Sequence, residues 1–177
     1  RVELCNGFFL EPSVSLSGGE ALAQMGVTGL RWYEAVFGLR RTPPQGASLE
    51  VLFDCIEWVA PGFEIVQSHA PGWKFNAAMT VADGGLHAHL VVGQAVAMPD
   101  IASNAHDFNR IMAACRVGLH QNGALVEQGQ GTHVLDSPLL ALHHFLSELR
   151  QCPGAPELLP GDVVTTGTWT DAWAIQA

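Results

Sequence analysis

The sequence predicts an α+β chain, mainly β with largely antiparallel pairing, and two helices packed outside the strands. Three observations carry that expectation. Short apolar runs bounded by Gly and Pro recur along the chain, Asn122-Gly123 separates two of them, and two stretches opening at Ser48 and Ser137 place apolar residues at helical spacing. A chain of 177 residues is long enough for one domain with a real core and not comfortably for two.

Near the amino terminus, Phe8-Phe9-Leu10 and Val14-Ser15-Leu16 read as short strands around a Gly18-Gly19 turn. Glu34 to Leu39 is the next strand, closed by Thr42-Pro43-Pro44, where proline removes ladder donors. Ser48 is a good N-cap, and Leu49, Leu52, Ile56 and Val59 follow at helical spacing, predicting a helix over 48–60 that ends at Pro61-Gly62. Phe63 to Ser68 and Leu86 to Val92 read as strands. Arg116–Gln121 and Ala124–Gln128 flank Asn122-Gly123, a dipeptide suited to a type I′ turn, and so form a hairpin. Ser137-Pro138 caps and opens a helix over 137–151, with Leu139, Leu142, Leu146 and Leu149 on one face and Pro153-Gly154 as its stop. Gly161-Asp162 opens a last strand, Val163 to Thr166, which runs into Gly167-Thr168.

Composition narrows the function classes. Lys+Arg number 8 against Asp+Glu 17, a net charge of −9, which argues against nucleic acid and against anionic membrane surfaces as partners. No apolar run is long enough to span a bilayer, and no basic stretch followed by an apolar one opens the chain, so a cytoplasmic protein is expected. Cys5, Cys55, Cys115 and Cys152 lie too far apart for zinc-ligand spacing and read as reduced, mostly buried thiols. His87-x-His89 projects to one face of a regular strand, a pattern more often packing than metal ligation. Hydrophobic residues at 48% with only 14% charged leave little polar material to cover a monomer, so an oligomer is expected.

Two carboxylates stand out: Glu34 opens an apolar strand, and Glu64 sits inside Phe63-Glu64-Ile65-Val66. A carboxylate buried without compensation costs several kcal/mol, so each must face water, a basic partner or a metal. Spacing alone leaves open an ordinary strand with Glu64 in solvent. Ala82-Asp83-Gly84-Gly85 fits neither a P-loop nor a dinucleotide fingerprint, and no GxSxG elbow is present.

The run Ile56-Glu57-Trp58-Val59-Ala60-Pro61-Gly62-Phe63-Glu64-Ile65-Val66, followed by Trp73-Lys74-Phe75, Thr80-Val81-Ala82-Asp83 and Gly161-Asp162-Val163-Val164-Thr165-Thr166-Gly167-Thr168, resembles the fumarylacetoacetate hydrolase superfamily. The nearest branch is that of the 2-keto-4-pentenoate hydratases and related 2-oxo acid decarboxylases. The likeness runs in family order from Glu34 to the carboxyl end. It implies a mixed β-sandwich roll with two flanking helices, and a site for Mg²⁺ or Mn²⁺ built from a Glu-x-Glu pair and a third acid. Glu64 matches the third acid and Glu34 one member of the pair. The other member is absent, since Trp32 and Val36 stand two residues either side of Glu34.

The resemblance further implies that Thr168, with the Gly167 amide, contacts the carboxylate or keto group of a small 2-oxo acid, and that Thr80 lines the site. Lys74 lies near a cationic position of the family, and Asp83 is the candidate proton shuttle. The implied activity is a metal-dependent lyase, a hydratase, working through a stabilised enolate; decarboxylation or hydrolysis of an acylpyruvate passes through a similar state. A different class remains open: a non-catalytic partner subunit, favoured by the missing acid. The family forms homo-oligomers and complexes with pathway enzymes. Against it, residues 1–177 read as a single catalytic-type domain without the family's N-terminal segment and last strand or two.

Overall fold

A computed structural model describes residues 30–174, Asn122 excepted. The expected strands at 8–10 and 14–16, the turn at 18–19 and Cys5 lie outside those residues.

Strand β1 (Leu30–Leu39) and strand β2 (Ile56–Val66) form the spine of the molecule. They pair antiparallel, with Glu34 opposite Gly62 and Val36 opposite Ala60. β3 (His87–Val92) adds to the outer edge of β2, and β4 (Val96–Ala97) pairs the same strand further along. On the far edge of β1 lie β7 (Val163–Thr165) and β8 (Trp173–Ala174), giving a six-stranded antiparallel sheet ordered β3-β2-β1-β7. β5 (Arg116–Gln121) and β6 (Ala124–Gln130) make a separate two-stranded hairpin, as the Asn122-Gly123 signal predicts. The described fold is thus mixed α/β, with mostly strands and antiparallel pairing.

Alternation along β1 divides its two faces. Tyr33, Ala35, Phe37 and Leu39 point into the main core with Ile56 and Val59 of β2. Three helices cover that face: α1 (Leu49–Phe53), α4 (Ala105–Ala114) and α5 (Pro138–Leu149). Between α1 and α4 the chain carries two further short helices, α2 (Ala77–Ala82) and α3 (Met98–Ile101). Phe108 of α4 meets Phe37 and Phe53 edge-on or tilted at 6.3 and 5.8 Å between ring centroids. Leu139, Leu142 and Leu146 of α5 are buried at the same core, each worth about 1.5–3 kcal/mol on removal from water. Gly131 closes the hairpin against α4 so tightly that a Cβ there would stand 1.9 Å from the Met112 carbonyl oxygen.

Local capping explains where the helices begin. Ser48 accepts a bond from the Val51 amide, Asn104 from Asp107 and Ser137 from Leu139. The Ser137 hydroxyl also donates to Asn109 Oδ1, tying α5 to α4.

The predicted helix over 48–60 is corrected. It stops at Phe53, and Ile56 and Val59 belong to β2, which continues straight through Pro61-Gly62. The β-branched and aromatic run Ile56-Glu57-Trp58-Val59 favours a strand, and Pro61 does not break it for a geometric reason. Pro61 turns its carbonyl away from β1, where it accepts from the Gly93 amide at 2.8 Å. Its nitrogen lies on the same side, beyond the last β2–β3 pair of Gly62 with Val92, so the missing N–H removes no bond from within that ladder. The expected strand at 63–68 is the second half of this longer one. Helix α4 was not legible as a helix, although Asn104 caps it. Of the described cysteines, Cys55 and Cys115 are buried thiols, whereas Cys152 is exposed.

Candidate active site

Glu34 and Glu64 share the sheet face opposite the helices. Glu34 pairs with Gly62, and Glu64 is two residues on along β2, so the two carboxylates are diagonal neighbours. Glu34 is only 4% exposed, while the Glu64 side chain is 19% exposed. The register position directly opposite Glu64 is residue 32, a tryptophan. Val36 lies opposite Ala60, two steps further from Glu64. Position 32 is therefore where the second acid of a Glu-x-Glu pair would stand beside Glu64.

Across β1, the segment after β7 runs along the other edge. The Thr166 amide donates to the Ala35 carbonyl at 3.0 Å, and the Trp169 amide to the Tyr33 carbonyl at 3.0 Å. Two residues, Gly167 and Thr168, thus stand against the single residue Glu34. Glu64 of β2, Glu34 of β1 and the Gly167–Thr168 stretch that follows β7 succeed one another across a sheet whose strands are spaced roughly 4.8 Å apart. Thr165 to Thr168 also form one wall of a cleft of about 520 Å³, whose other wall is His144, Phe145 and Glu148 of α5. At its rim, Leu135 and Asp136 hold φ of 45° and 68°, strained values for non-glycine residues, just before the Ser137 cap.

Lys74, Thr80 and Asp83 lie on the excursion joining β2 to β3. Lys74 is exposed, and the Thr80 hydroxyl donates to the Asn76 carbonyl at 3.1 Å. The Asp83 carboxylate accepts from the His69 amide at 3.0 Å and contacts the His69 ring. Those bonds hold its carboxyl below the usual carboxylate range, the His69 amide first among them. Deep in the core, burial pushes the Tyr33 phenol up, so it stays neutral.

Sequence reasoning missed His87. A regular strand would put His87 and His89 on one face, but Ile65 pairs with His89 and Val66 with His87, so Ala88 is an extra, bulged residue. The two histidines therefore face opposite ways. His87 joins the carboxylate face, where its Nδ1 lies 2.8 Å from Glu64 Oε1. Alternation cannot reveal a bulge, so only the dipeptide spacing was visible.

With that geometry in place, the sequence profile described as "Fumarylacetoacetate (FAA) hydrolase C-terminal" matches residues 8–177. The chain belongs to the fumarylacetoacetate hydrolase family. Its similar family members include 2-keto-4-pentenoate hydratase 1 of Dechloromonas aromatica (strain RCB), 31% identical over 117 residues, covering 66% of this chain and 40% of that one. The 2-keto-4-pentenoate hydratase of Paraburkholderia phymatum (strain DSM 17167 / CIP 108236 / LMG 21445 / STM815) is 30% identical over 71% of this chain and 44% of its own. The chain thus spans about two fifths of the curated relatives it matches. In fold it is similar to 4-oxalocrotonate decarboxylase from Pseudomonas putida G7, complexed with magnesium and adipate. That likeness has a TM-score of 0.70 at 21% identity and covers 83% of this chain and 52% of that one.

The family implies a divalent cation, and the donor set can be tested against it. Among the described residues no group of three or more His, Cys, Asp or Glu is placed so that it could hold a metal ion. Mg²⁺ does not need such a group: it commonly binds through one or two carboxylates and keeps several waters. Glu34, held in a buried strand, and Glu64 on the same face fit that kind of open site. Among the described residues, no helix is long and apolar enough to cross a membrane.

Proposed function

We propose that this chain is the catalytic-type portion of a divalent-metal-dependent lyase that hydrates a small 2-oxo acid of the 2-keto-4-pentenoate kind. The observation that carries this reading is the succession of Glu64 on β2, Glu34 on β1 and Gly167–Thr168 in the stretch after β7 that bonds to β1. Two acids that can hold a cation, and a hydroxyl with a backbone amide that can bind an anion, are the groups a 2-oxo carboxylate needs. Family membership supports the same reading, as do the hydratase names of the relatives.

Glu34 and Glu64 would hold Mg²⁺ or Mn²⁺, which when bound supplies Lewis-acid stabilisation of charge developing on the 2-oxo group. Thr168, through its hydroxyl, and the Gly167 amide bind and orient the substrate carboxylate beside Glu34. Thr80 and Lys74 come from the β2–β3 excursion, Lys74 adding positive charge. Asp83, kept ionised by His69, can accept a proton at neutral pH and not give one, so its part in dienol–enone exchange is that of a base. Decarboxylation and acylpyruvate hydrolysis use the same groups. In this reading the strands form the family's β-sandwich roll, and the protein is a cytoplasmic homo-oligomer that can join a complex with a pathway enzyme.

A second reading, a partner subunit without catalysis, is favoured by one observation: the register position opposite Glu64 is Trp32. Turnover separates the two. With Mg²⁺ or Mn²⁺ present, the chain should remove the ultraviolet absorbance of a 2-hydroxypentadienoate, and Glu34→Gln should not. No loss of absorbance, and no CO₂ released from a 2-oxo diacid, would favour the partner subunit.

A further inference from the structure

We infer that His87 is a positioning residue for the carboxylate site, acting through Glu64 rather than on substrate. This inference rests on the reading of Glu34 and Glu64 as the cation-holding pair. Its own support is independent and lies in the backbone around His87.

Two irregularities aim that side chain. On one side Leu86 sits at φ 67°, a left-handed value that a γ-branched residue rarely adopts, with its carbonyl accepting from the Gln67 amide at 2.9 Å. On the other side Ala88 is the extra residue of a β-bulge. Bulges commonly re-aim a side chain beside a functional site, and strained backbone persists where surrounding structure holds it. Without the bulge His87 would stand with His89, opposite the face that carries Glu34 and Glu64. With it, His87 pairs with Val66, next along the carboxylate face from Glu64.

The contact it makes has a defined direction. An ionised carboxylate only accepts, so Nδ1 carries the proton and donates to Glu64 Oε1 across 2.8 Å. That bond fixes how the Glu64 carboxylate is turned. Carboxylates that bind metals are themselves oriented by such outer hydrogen bonds, whose loss typically weakens metal binding about tenfold to a hundredfold. The need is sharper here, because residue 32 contributes no acid opposite Glu64. With the His87 ring half exposed at 50%, substitution leaves the main core intact.

Electron paramagnetic resonance of free Mn²⁺ provides the test, read on the full chain without any substrate. His87→Ala should weaken Mn²⁺ binding about tenfold to a hundredfold, with circular dichroism unchanged. His87→Asn, whose side-chain N–H can donate to the same oxygen, should recover most of the loss; a purely structural role would not be rescued this way. Binding by His87→Ala as tight as the wild type, or tighter, would overturn the inference alone. Wild-type protein that leaves all Mn²⁺ free would overturn both this inference and the cation-holding pair beneath it.

Discussion

Glu34 and Glu64 stand one diagonal step apart on the same face of adjacent strands, the register running through Gly62. One is buried at 4% exposure, so the fold carries a carboxylate into its interior beside a second one. Two acids brought together in this way repel each other and cost desolvation energy, and a sequence selected for stability alone would place apolar residues there. The arrangement is therefore best understood as functional.

Gly131→Ala should destabilise the protein by about 1–3 kcal/mol or more, because the added Cβ would meet a backbone carbonyl that no rotamer change can move. Urea denaturation reads the loss. An unchanged midpoint would mean that the hairpin does not seat on α4 as described.

Ser137→Ala should cost about 1–2 kcal/mol, since it removes the cap on Leu139 together with the bond to Asn109. Asn109→Ala should remove that bond and keep the cap. A chemical melt of the three proteins orders them wild type, Asn109→Ala, Ser137→Ala.

The Asp83–His69 contact predicts a pH dependence. Asp83 titrates below its ordinary value in the fold, so the unfolded chain binds its proton first as acid is added. The stabilisation is present in full above the unfolded value of about 3.9 and is lost as pH falls through the lower folded value. Asp83→Asn should therefore lower the melting temperature at pH 6 and narrow its difference from wild type toward pH 2. A difference that stays constant over that range would exclude the carboxylate as its source.

Local signals made much of this legible. The Ser137 cap with Pro138 and the Asn122-Gly123 turn act within a few residues, so α5 and the β5–β6 hairpin could be read directly. Glu34 and Glu64 were legible because charge inside apolar strands is rare. The course of β2 was not, because whether Pro61 breaks a strand depends on where β3 ends, a long-range fact. His87 was hidden for the same reason: its face depends on the Ala88 bulge, which no period-2 pattern records. The opposition of residue 32 and Glu64 likewise exists only in the register between strands.

The central claim is that Glu34 and Glu64 together hold a divalent cation, and calorimetric titration with Mg²⁺ tests it most directly. The wild type should bind at millimolar concentration or tighter, and its melting temperature should rise with Mg²⁺ by mass action. Glu34→Gln and Glu64→Gln should each abolish both effects, since each keeps the shape and removes the charge that attracts a hard cation. Wild-type protein that shows no heat of binding and no thermal shift at millimolar Mg²⁺ or Mn²⁺ would contradict the account.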